Sequence, residues 1–154
     1  MQKRFVHATA RDHAPGSWLD LDTLANVELT SEDAAHPIEG ALASGEGAGW
    51  RAAERGTQSI RLLFHAPQQL HRIRLRFDEA EAERTQEFAL RWSPDGGSSY
   101  RDVVRQQYTF SPAGATSEVE ELSVDLAGVT ALELTIMPDQ RGQAHASLAE
   151  WRVG

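Results

Sequence analysis

Side chains that could do chemistry occur in this sequence mainly in loops, and their spacing matches no known catalytic motif. His36 precedes Glu39 by three residues in the sequence HPIE. On a helix that spacing could hold a metal ion, but Pro37 puts it in a loop that does not fix the geometry. The sequence contains no G-x-S-x-G, H-E-x-x-H or phosphate-binding loop. Because no nucleophile stands at the spacing of an activating base, we predict that the protein is not an enzyme and has no catalytic residues.

The composition excludes several other kinds of site. The chain has 154 residues and no cysteine, which excludes disulfides, thiolate metal sites and cysteine nucleophiles. The formal net charge of -8 argues against general binding to nucleic acids. The first residues carry charges without the apolar stretch of a secretory signal, and no segment is apolar enough to span a membrane. We therefore expect a cytoplasmic protein without a membrane partner.

The elements that must position any binding site are β-strands, and the clearest of them form a hairpin over residues 86–104. Phe88, Leu90 and Trp92 alternate with smaller or polar residues, so that three large apolar side chains lie on one face of a strand. The sequence SPDGG then reverses the chain, because proline favours turns and glycine accepts positive φ. The apolar pattern resumes on a return strand that includes Val104.

Other alternating segments predict further strands on both sides of this hairpin. No helical periodicity is sustained over three turns. We therefore predict an all-β antiparallel sandwich or barrel, formed as a single domain by residues 18–154 and preceded by an irregular lead-in at residues 1–17. Trp92 and Trp151 fall in apolar alternation and are expected in the core. The predicted strands cover residues 27–30, 59–65, 70–77, 86–92, 100–110, 122–126, 132–136 and 147–153.

Three motifs, in their order along the chain, carry a family resemblance. An acid–glycine pair at Glu39 begins a glycine-rich loop, and Trp50 follows ten residues after that pair. An Asp-Gly pair at Asp95 lies in the hairpin turn, and the chain ends in SLAEWRVG. This pattern resembles the discoidin domain, also called the factor V/VIII type C or galactose-binding-like domain, of the bacterial carbohydrate-binding-module type. The resemblance covers residues 27–154.

The resemblance implies an eight-stranded antiparallel jelly-roll sandwich that binds its ligand through loops at one end, without catalysis. Bacterial domains of this type bind carbohydrates, whereas others bind phospholipid head groups or proteins, so the fold does not settle the ligand. The family's usual accessory is a structural calcium ion (Ca2+), and the matching metal ligands here are Glu39 and Glu150. Two departures bear on these roles, because Glu39 replaces the family's loop aspartate and Tyr100 replaces its hairpin tryptophan.

The resemblance also locates a ligand site, because loops from distant parts of such a chain meet at one end of the sandwich. We expect residues 34–49, 78–85 and 139–146 to meet there. In bacterial members an arginine matching Arg84 donates to sugar hydroxyls, and the alternative for Arg84 is a salt bridge with Glu81, Glu83 or Glu87. Forked donors and flat rings are groups that a sugar needs. The predicted carbohydrate site is formed by His36, Arg84, Tyr108, Phe110, Arg141 and His145.

Two other functions stay open at this point. One is a protein-interaction or scaffold domain without a small ligand, which a contiguous exposed apolar patch would favour. The other is binding of a polyanion or nucleic acid through an arginine-rich sheet face. Cross-strand pairing with acids such as Glu133 or Asp125 would instead neutralise that face. The arginines concerned are Arg61, Arg72, Arg74, Arg76 and Arg91.

Overall fold

β-Strands dominate the computed structural model, which describes residues 18–43 and 48–154. Eight strands and two four-residue helices follow one another in these ranges. The predicted lead-in at residues 1–17 lies outside them. None of the described helices is long and apolar enough to cross a membrane. In chain order the elements are α1 (Leu21–Leu24), β1 (Ala25–Leu29), α2 (Glu39–Leu42), β2 (Trp50–Arg55), β3 (Gln58–Asp78), β4 (Arg84–Ser93), β5 (Arg101–Phe110), β6 (Ser117–Met137), β7 (His145–Leu148) and β8 (Glu150–Val153).

The strands β3 and β6 are the longest, with 21 residues each, and they pair antiparallel along almost their whole length. The sequence predicted two shorter strands in place of each: residues 59–65 and 70–77 for β3, with a break at Pro67, and residues 122–126 and 132–136 for β6. The structure keeps each strand continuous but shifts the register between Leu63 and Arg72. Pro67 explains the irregularity, because it has no N–H to donate to the ladder. Opposite this stretch, Gly128 of β6 has a φ of 70°.

Two layers are built on the two halves of the β3–β6 pair. The first half of β3 and the second half of β6 lie in a layer with the strand order β1–β3–β6–β4–β5. The second half of β3 pairs on one side with the first half of β6 and on the other side with β8. β2 and β7 form a separate two-stranded ribbon. The rings of Phe77 on β3 and Phe88 on β4 have their centroids 5.1 Å apart, so the apolar faces of the layers meet. The predicted all-β antiparallel sandwich of eight strands is confirmed.

The predicted hairpin is present as β4 and β5, and hydrogen bonds local in sequence fix its turn. Ser93 Oγ accepts hydrogen bonds from the amides of Asp95 and Gly97 at 3.2 and 2.9 Å. The Asp95 carboxylate accepts from the amide and hydroxyl of Ser99 at 2.9 and 2.6 Å. Hydrogen bonds from Ser99 and Ser93 lower the pKa of Asp95 to about 2. The chain reverses at Gly96 and Gly97, which both have positive φ.

The core between the layers contains Trp50 and Trp151, which are the largest of the fully buried side chains. Trp92 packs against this core but is only half-buried. The guanidinium of Arg101 lies 5.1 Å from the centre of the Trp92 ring. The expected core position is therefore confirmed for Trp151 and only partly met by Trp92.

We expect Trp151→Ala to lower the free energy of unfolding by about 3–5 kcal/mol, because it leaves a large cavity in a fully buried position. Trp92→Ala removes the same side chain from a half-buried position and should have a clearly smaller effect. Urea unfolding followed by circular dichroism measures both losses. Equal losses for the two variants would contradict the difference in burial on which this prediction rests.

Candidate functional site

A cleft of about 350 Å³ opens where β2 begins and β7 ends. Its walls come from four separate parts of the chain, which are the loop before α2, the start of β2, the end of β3 and the end of β7. Gly49, Trp50 and Leu148 form part of its floor and walls. The polar residues that line it are Asp33, His36, Arg51, Asp78 and Ser147.

A hydrogen-bonded turn holds His36 at this cleft. The amide of Ala35 donates to Asp33 Oδ1 at 2.9 Å, and the amide of His36 donates to the Asp33 carbonyl at 2.8 Å. Aspartate commonly stabilises a turn in this way. Two further backbone bonds tie the turn to β2, because Asp33 donates to the Arg51 carbonyl at 2.8 Å and Arg51 donates to the His36 carbonyl at 3.2 Å. The fold thereby brings His36 and Arg51 into one site.

The ring of His36 has hydrogen-bonding capacity that the protein does not use. Its Nδ1 is buried without a hydrogen-bond partner, and Asp33 Oδ2 lies 3.8 Å away. A buried polar atom without a partner costs free energy unless a ligand or water satisfies it. About two-fifths of each of these side chains is exposed, so both can meet a molecule in the cleft.

Asp78 lines the cleft from the end of β3, and its carboxylate is held in position from two sides. Its Oδ1 accepts a hydrogen bond from the Ser117 hydroxyl at 2.9 Å, and its Oδ2 accepts one from the Arg76 guanidinium. Charge-assisted bonds of this kind orient a carboxylate well. Beside it, the Ala149 amide donates to the Arg76 carbonyl at 2.9 Å, which fastens the junction of β7 and β8.

Two glycines allow backbone segments to approach closely at the cleft. Gly49 has a φ of 82°, and a Cβ there would lie 3.0 Å from the carbonyl oxygen of Leu148. A Cβ on Gly40 would lie 3.0 Å from the backbone N and O of Gly49. A larger residue at either position would force the backbone apart. Gly49 therefore lets the backbone pass close to β7 at the wall of the cleft, and Gly40 lets α2 pack against Gly49.

The cleft combines donors and acceptors suited to a hydroxylated small molecule. Arg51 supplies forked donors, Asp33 and Asp78 supply acceptors, and the Ser147 hydroxyl can serve as either. Trp50 is buried and donates through Nε1 to the Ser31 carbonyl at 3.2 Å, so it offers no exposed aromatic face. In residues 18–43 and 48–154, no three His, Cys, Asp or Glu side chains lie together as a metal site would require.

Arg84 is buried among protein partners. Its Nε donates to Glu79 at 2.7 Å, and its Nη1 donates to Gln86 Oε1 at 3.1 Å and to the Pro138 carbonyl at 2.8 Å. Burial raises the pKa of Glu79, but Arg84 and the amides of the following loop outweigh burial and lower it overall. The salt-bridge alternative considered for Arg84 is thus present, with Glu79 instead of the acids expected from the sequence.

Tyr108 and Phe110 pack beside Arg84. The Arg84 guanidinium lies 4.8 Å from the centre of the Phe110 ring, and Phe110 is fully buried. Tyr108 meets Phe110 edge to face, with the ring centroids 5.0 Å apart, and its hydroxyl donates to the Ser117 carbonyl at 3.1 Å. The structure therefore brings these three predicted residues together, but in a packed cluster. Their role in ligand binding stays a prediction.

Arg141 and His145 lie away from both the cleft and the Arg84 cluster. Arg141 is exposed in the loop after β6, and His145 begins β7 with its Nδ1 3.1 Å from the Ala52 carbonyl oxygen. His145 pairs with Arg55, at the opposite end of the β2–β7 ribbon from Trp50. Of the three loops expected to meet, residues 34–49 and 78–85 contribute to the cleft, while Arg141 and His145 do not line it. Their part in a ligand site also stays a prediction.

Glu39 and Glu150, the acids matched to a calcium site, differ in their surroundings. Glu39 is exposed at the start of α2 and borders, together with Arg152, a groove of about 960 Å³. The Glu150 carboxylate accepts hydrogen bonds from Arg74 and Arg152 at 2.8 and 3.1 Å. Glu150 therefore has arginines around it where a calcium site would require a ring of oxygens.

The arginine-rich sheet face is neutralised. Burial raises the pKa of Glu133, but hydrogen bonds from two arginines outweigh burial and lower it overall. Asp125, the other acid considered, accepts from Gln69 at 3.0 Å. The arginines contact Glu133 (Arg61 and Arg91), the Trp18 ring (Arg72), Glu121 and Glu150 (Arg74), and Asp78 (Arg76). This pairing gives no support to a polyanion site.

An apolar docking surface has equally little support. Within the part of the chain that the structure describes, the large hydrophobic side chains that are exposed are Val119 and Met137. Neither is more than half exposed, and two such side chains expose far less area than the patches that mark protein interfaces.

Sequence reasoning missed four of the polar residues that line the cleft. Asp33 could have been found, because an aspartate a few residues before His36 is typical of a turn that fixes the loop. Asp78 directly follows the strand predicted at residues 70–77 and begins the sequence DEAEAER, whose many acids are typical of a solvent-exposed loop. Arg51 and Ser147 meet only through the register of β2 with β7, and no local pattern in the sequence predicts that register.

Comparison with known proteins finds similar structures and no close relative. No family model matches the sequence, and no curated protein matches it. One similar structure is a CBM32 carbohydrate-binding module of Clostridium perfringens in complex with GalNAc-β-1,3-galactose. It has a TM-score of 0.65 and 19% identity, and the alignment covers 89% of this chain and 99% of that chain.

Two further structures give the same result. The family 32 module of Clostridium perfringens NanJ, in complex with galactose, has a TM-score of 0.66 and 14% identity over 88% of this chain and 96% of that one. A chitosan-binding module from a Paenibacillus chitosanase/glucanase has a TM-score of 0.59 and 18% identity over 88% of this chain and 98% of that one. At these identities the likeness concerns the fold alone. The chain therefore has the discoidin-like, galactose-binding-like fold of these carbohydrate-binding modules, as its motifs predicted.

Proposed function

We propose that this domain is a non-catalytic carbohydrate-binding module and that the cleft at His36 receives the sugar. The observation that carries the proposal is the convergence of His36, Arg51 and Asp78 from three parts of the chain on one cleft. Its volume of about 350 Å³ lies within the range of small-molecule sites. The similar structures solved with galactose and with GalNAc-β-1,3-galactose support a sugar as the ligand.

Recognition in this proposal depends on hydrogen bonds. Arg51 donates to neighbouring hydroxyl groups of the sugar, and Asp78, oriented by Ser117, accepts from another. The exposed part of the His36 ring, about two-fifths of the side chain, lines the cleft and contacts the ligand. Because Trp50 is buried, stacking on a sugar face adds nothing here. We expect weak binding, in the millimolar range, which corresponds to about 4 kcal/mol.

Arg51→Ala is expected to weaken sugar binding by about 10- to 100-fold while leaving the melting temperature unchanged. One hydrogen bond from a charged group contributes about 1.5–3 kcal/mol, and Arg51 is exposed, so folding does not depend on it. NMR titration of isotope-labelled protein with galactose and N-acetylgalactosamine measures the affinities. Arg55→Ala is the matched control, because Arg55 is an exposed arginine at the other end of the same strand.

The same titration decides between the possible locations of the site. Sugar-induced shifts at His36, Arg51 and Asp78 in the wild type are expected. Shifts confined to Arg141 and His145 would move the site to the loop predicted from the sequence. If neither sugar, nor an acidic sugar such as mannuronate, shifts any residue of the domain, the proposed function is wrong.

A further inference from the structure

Arg152, on the last strand, is a buried cation with three acceptors. Its Nε donates to Glu150 Oε2 at 3.1 Å. Its Nη1 donates to the carbonyls of Leu42, at 3.2 Å, and of Ala43. These carbonyls lie at the end of α2, where backbone acceptors have no partner within the helix. One side chain thus connects the end of α2 to β8.

Glu150 is the acid at this junction, and it is surrounded by positive charge. Arg74 Nε donates to its Oε1 at 2.8 Å, and Arg76 Nε lies 3.9 Å from the same oxygen. Both oxygens of Glu150 therefore accept hydrogen bonds from arginine, and three guanidinium groups lie around this one carboxylate.

A calcium ion would need a different set of donors. Calcium takes ~6–8 oxygens at ~2.3–2.6 Å. The carbonyls of Leu42 and Ala43 and one oxygen of Glu150 already accept hydrogen bonds from Arg152. Three guanidinium groups around Glu150 would repel a divalent cation. The residues that the structure describes contain no cluster of acids and histidines that could hold a metal ion. The donors that residues 39–43 and 150–152 present therefore do not fit calcium.

We propose that the guanidinium of Arg152 takes the place of the calcium ion that the resemblance implied, so that this domain needs no metal at Glu39 and Glu150. The guanidinium supplies the positive charge that Glu150 requires and the donors that the end of α2 requires. Its planar fork can serve several acceptors at once, which a single ammonium group cannot do equally well. Because this cation is covalently part of the chain, neither chelators nor a fall in free calcium can remove it.

Thermal unfolding of the full chain, with calcium or with EDTA, tests this proposal. At about 10 mM calcium we expect the melting temperature of the wild type to stay within about 1 °C of its value in EDTA. A ligand that binds only the folded state raises the melting temperature in a saturable way. Such a rise in the wild type, or saturable calcium heat in isothermal titration calorimetry, would overturn the proposal. Neither measurement needs a variant.

Substitutions at Arg152 test the second half of the proposal. Arg152→Ala is expected to lower the melting temperature by about 5–10 °C, and Arg152→Lys should recover only part of that loss. The control is Arg105→Ala, which removes an exposed arginine that pairs with Glu87 and should melt like the wild type. A wild-type melting temperature for Arg152→Ala would contradict the proposal. If Arg152→Ala does not fold, the lysine variant and the wild-type titrations still decide the question.

Discussion

Arg84→Ala is expected to destabilise the domain by about 3–5 kcal/mol. The guanidinium is buried and donates to Glu79, Gln86 and the Pro138 carbonyl. Its removal leaves the Glu79 carboxylate without its cation and two other acceptors without a donor. Removing one partner of a buried ion pair has an effect of this size, because the remaining charge is no longer compensated. Urea unfolding of the variant and the wild type measures the loss.

Arg105→Ala is the matched control for this prediction. It also removes an arginine from an ion pair, that with Glu87, but this arginine is 65% exposed and the expected effect is below about 1 kcal/mol. The sequence suggested a different outcome for Arg84, namely intact folding with lost sugar binding. If Arg84→Ala melts like the wild type and no longer binds galactose, Arg84 is a ligand-binding residue and our prediction is wrong.

Glu118→Gln is expected to remove much of the change in stability between about pH 4.5 and pH 8. Glu118 is 2% exposed, its Oε2 has no hydrogen-bond partner, and Gln86 Nε2 lies 3.5 Å from its Oε1. Burial, reinforced by hydrogen bonding and charge repulsion from Glu120, raises the pKa of Glu118 from 4.5 to about 8. The folded protein therefore holds a proton that the unfolded chain releases at lower pH.

The sign of the pH dependence follows from the higher pKa of Glu118 in the folded protein. The contribution of Glu118 to stability is complete below about pH 4.5 and is lost as the pH rises to about 8. One pKa unit corresponds to about 1.4 kcal/mol, so the loss is on the order of 3–5 kcal/mol. Glutamine is neutral throughout this pH range. The variant should match the wild type near pH 4.5 and exceed its free energy of unfolding near pH 8.

Asp125→Asn provides the control, because Asp125 is exposed on the same strand and accepts a hydrogen bond from Gln69 at the surface. Its variant should follow the wild-type dependence on pH. Denaturant midpoints measured for all three proteins at both pH values give the comparison. Parallel curves for Glu118→Gln and the wild type would mean that Glu118 is ionised in the folded protein, contrary to the prediction.

The parts of the fold that local sequence determines could be predicted. Phe88 and Leu90 alternate on β4, and the turn around Asp95 is fixed by its own neighbours, so the hairpin was visible in the sequence. Pro67 misled the prediction, since a residue that usually ends a strand only shifts the register here. β3 continues past it because its pairing with β6, which is distant in sequence, resumes after the shift.

The candidate site could be predicted only where a single loop determines it. His36 was found from its loop, whereas Arg51 and Ser147 become neighbours through a register that tertiary structure sets. Glu150 was matched to a metal site from its own motif. Its actual partners include Arg74, which lies far away in sequence and on the paired strand. Charge pairing across strands therefore decides what these acids do, and a motif does not contain that information.

The continuous β3–β6 pair has a consequence for how the domain unfolds. Each of these strands belongs to both layers, so neither layer can lose its strands without breaking the other. The domain should therefore unfold in one cooperative transition. The entropy lost on closing the intervening chain also differs along the pair. Asp78 and Ser117 are separated by little more than the β4–β5 hairpin, whereas Gln58 and Ile136 are separated by a much longer stretch of chain. If the β4–β5 hairpin forms first, pairing of β3 with β6 that starts at Asp78 and Ser117 and proceeds towards Gln58 and Ile136 loses the least chain entropy at each step.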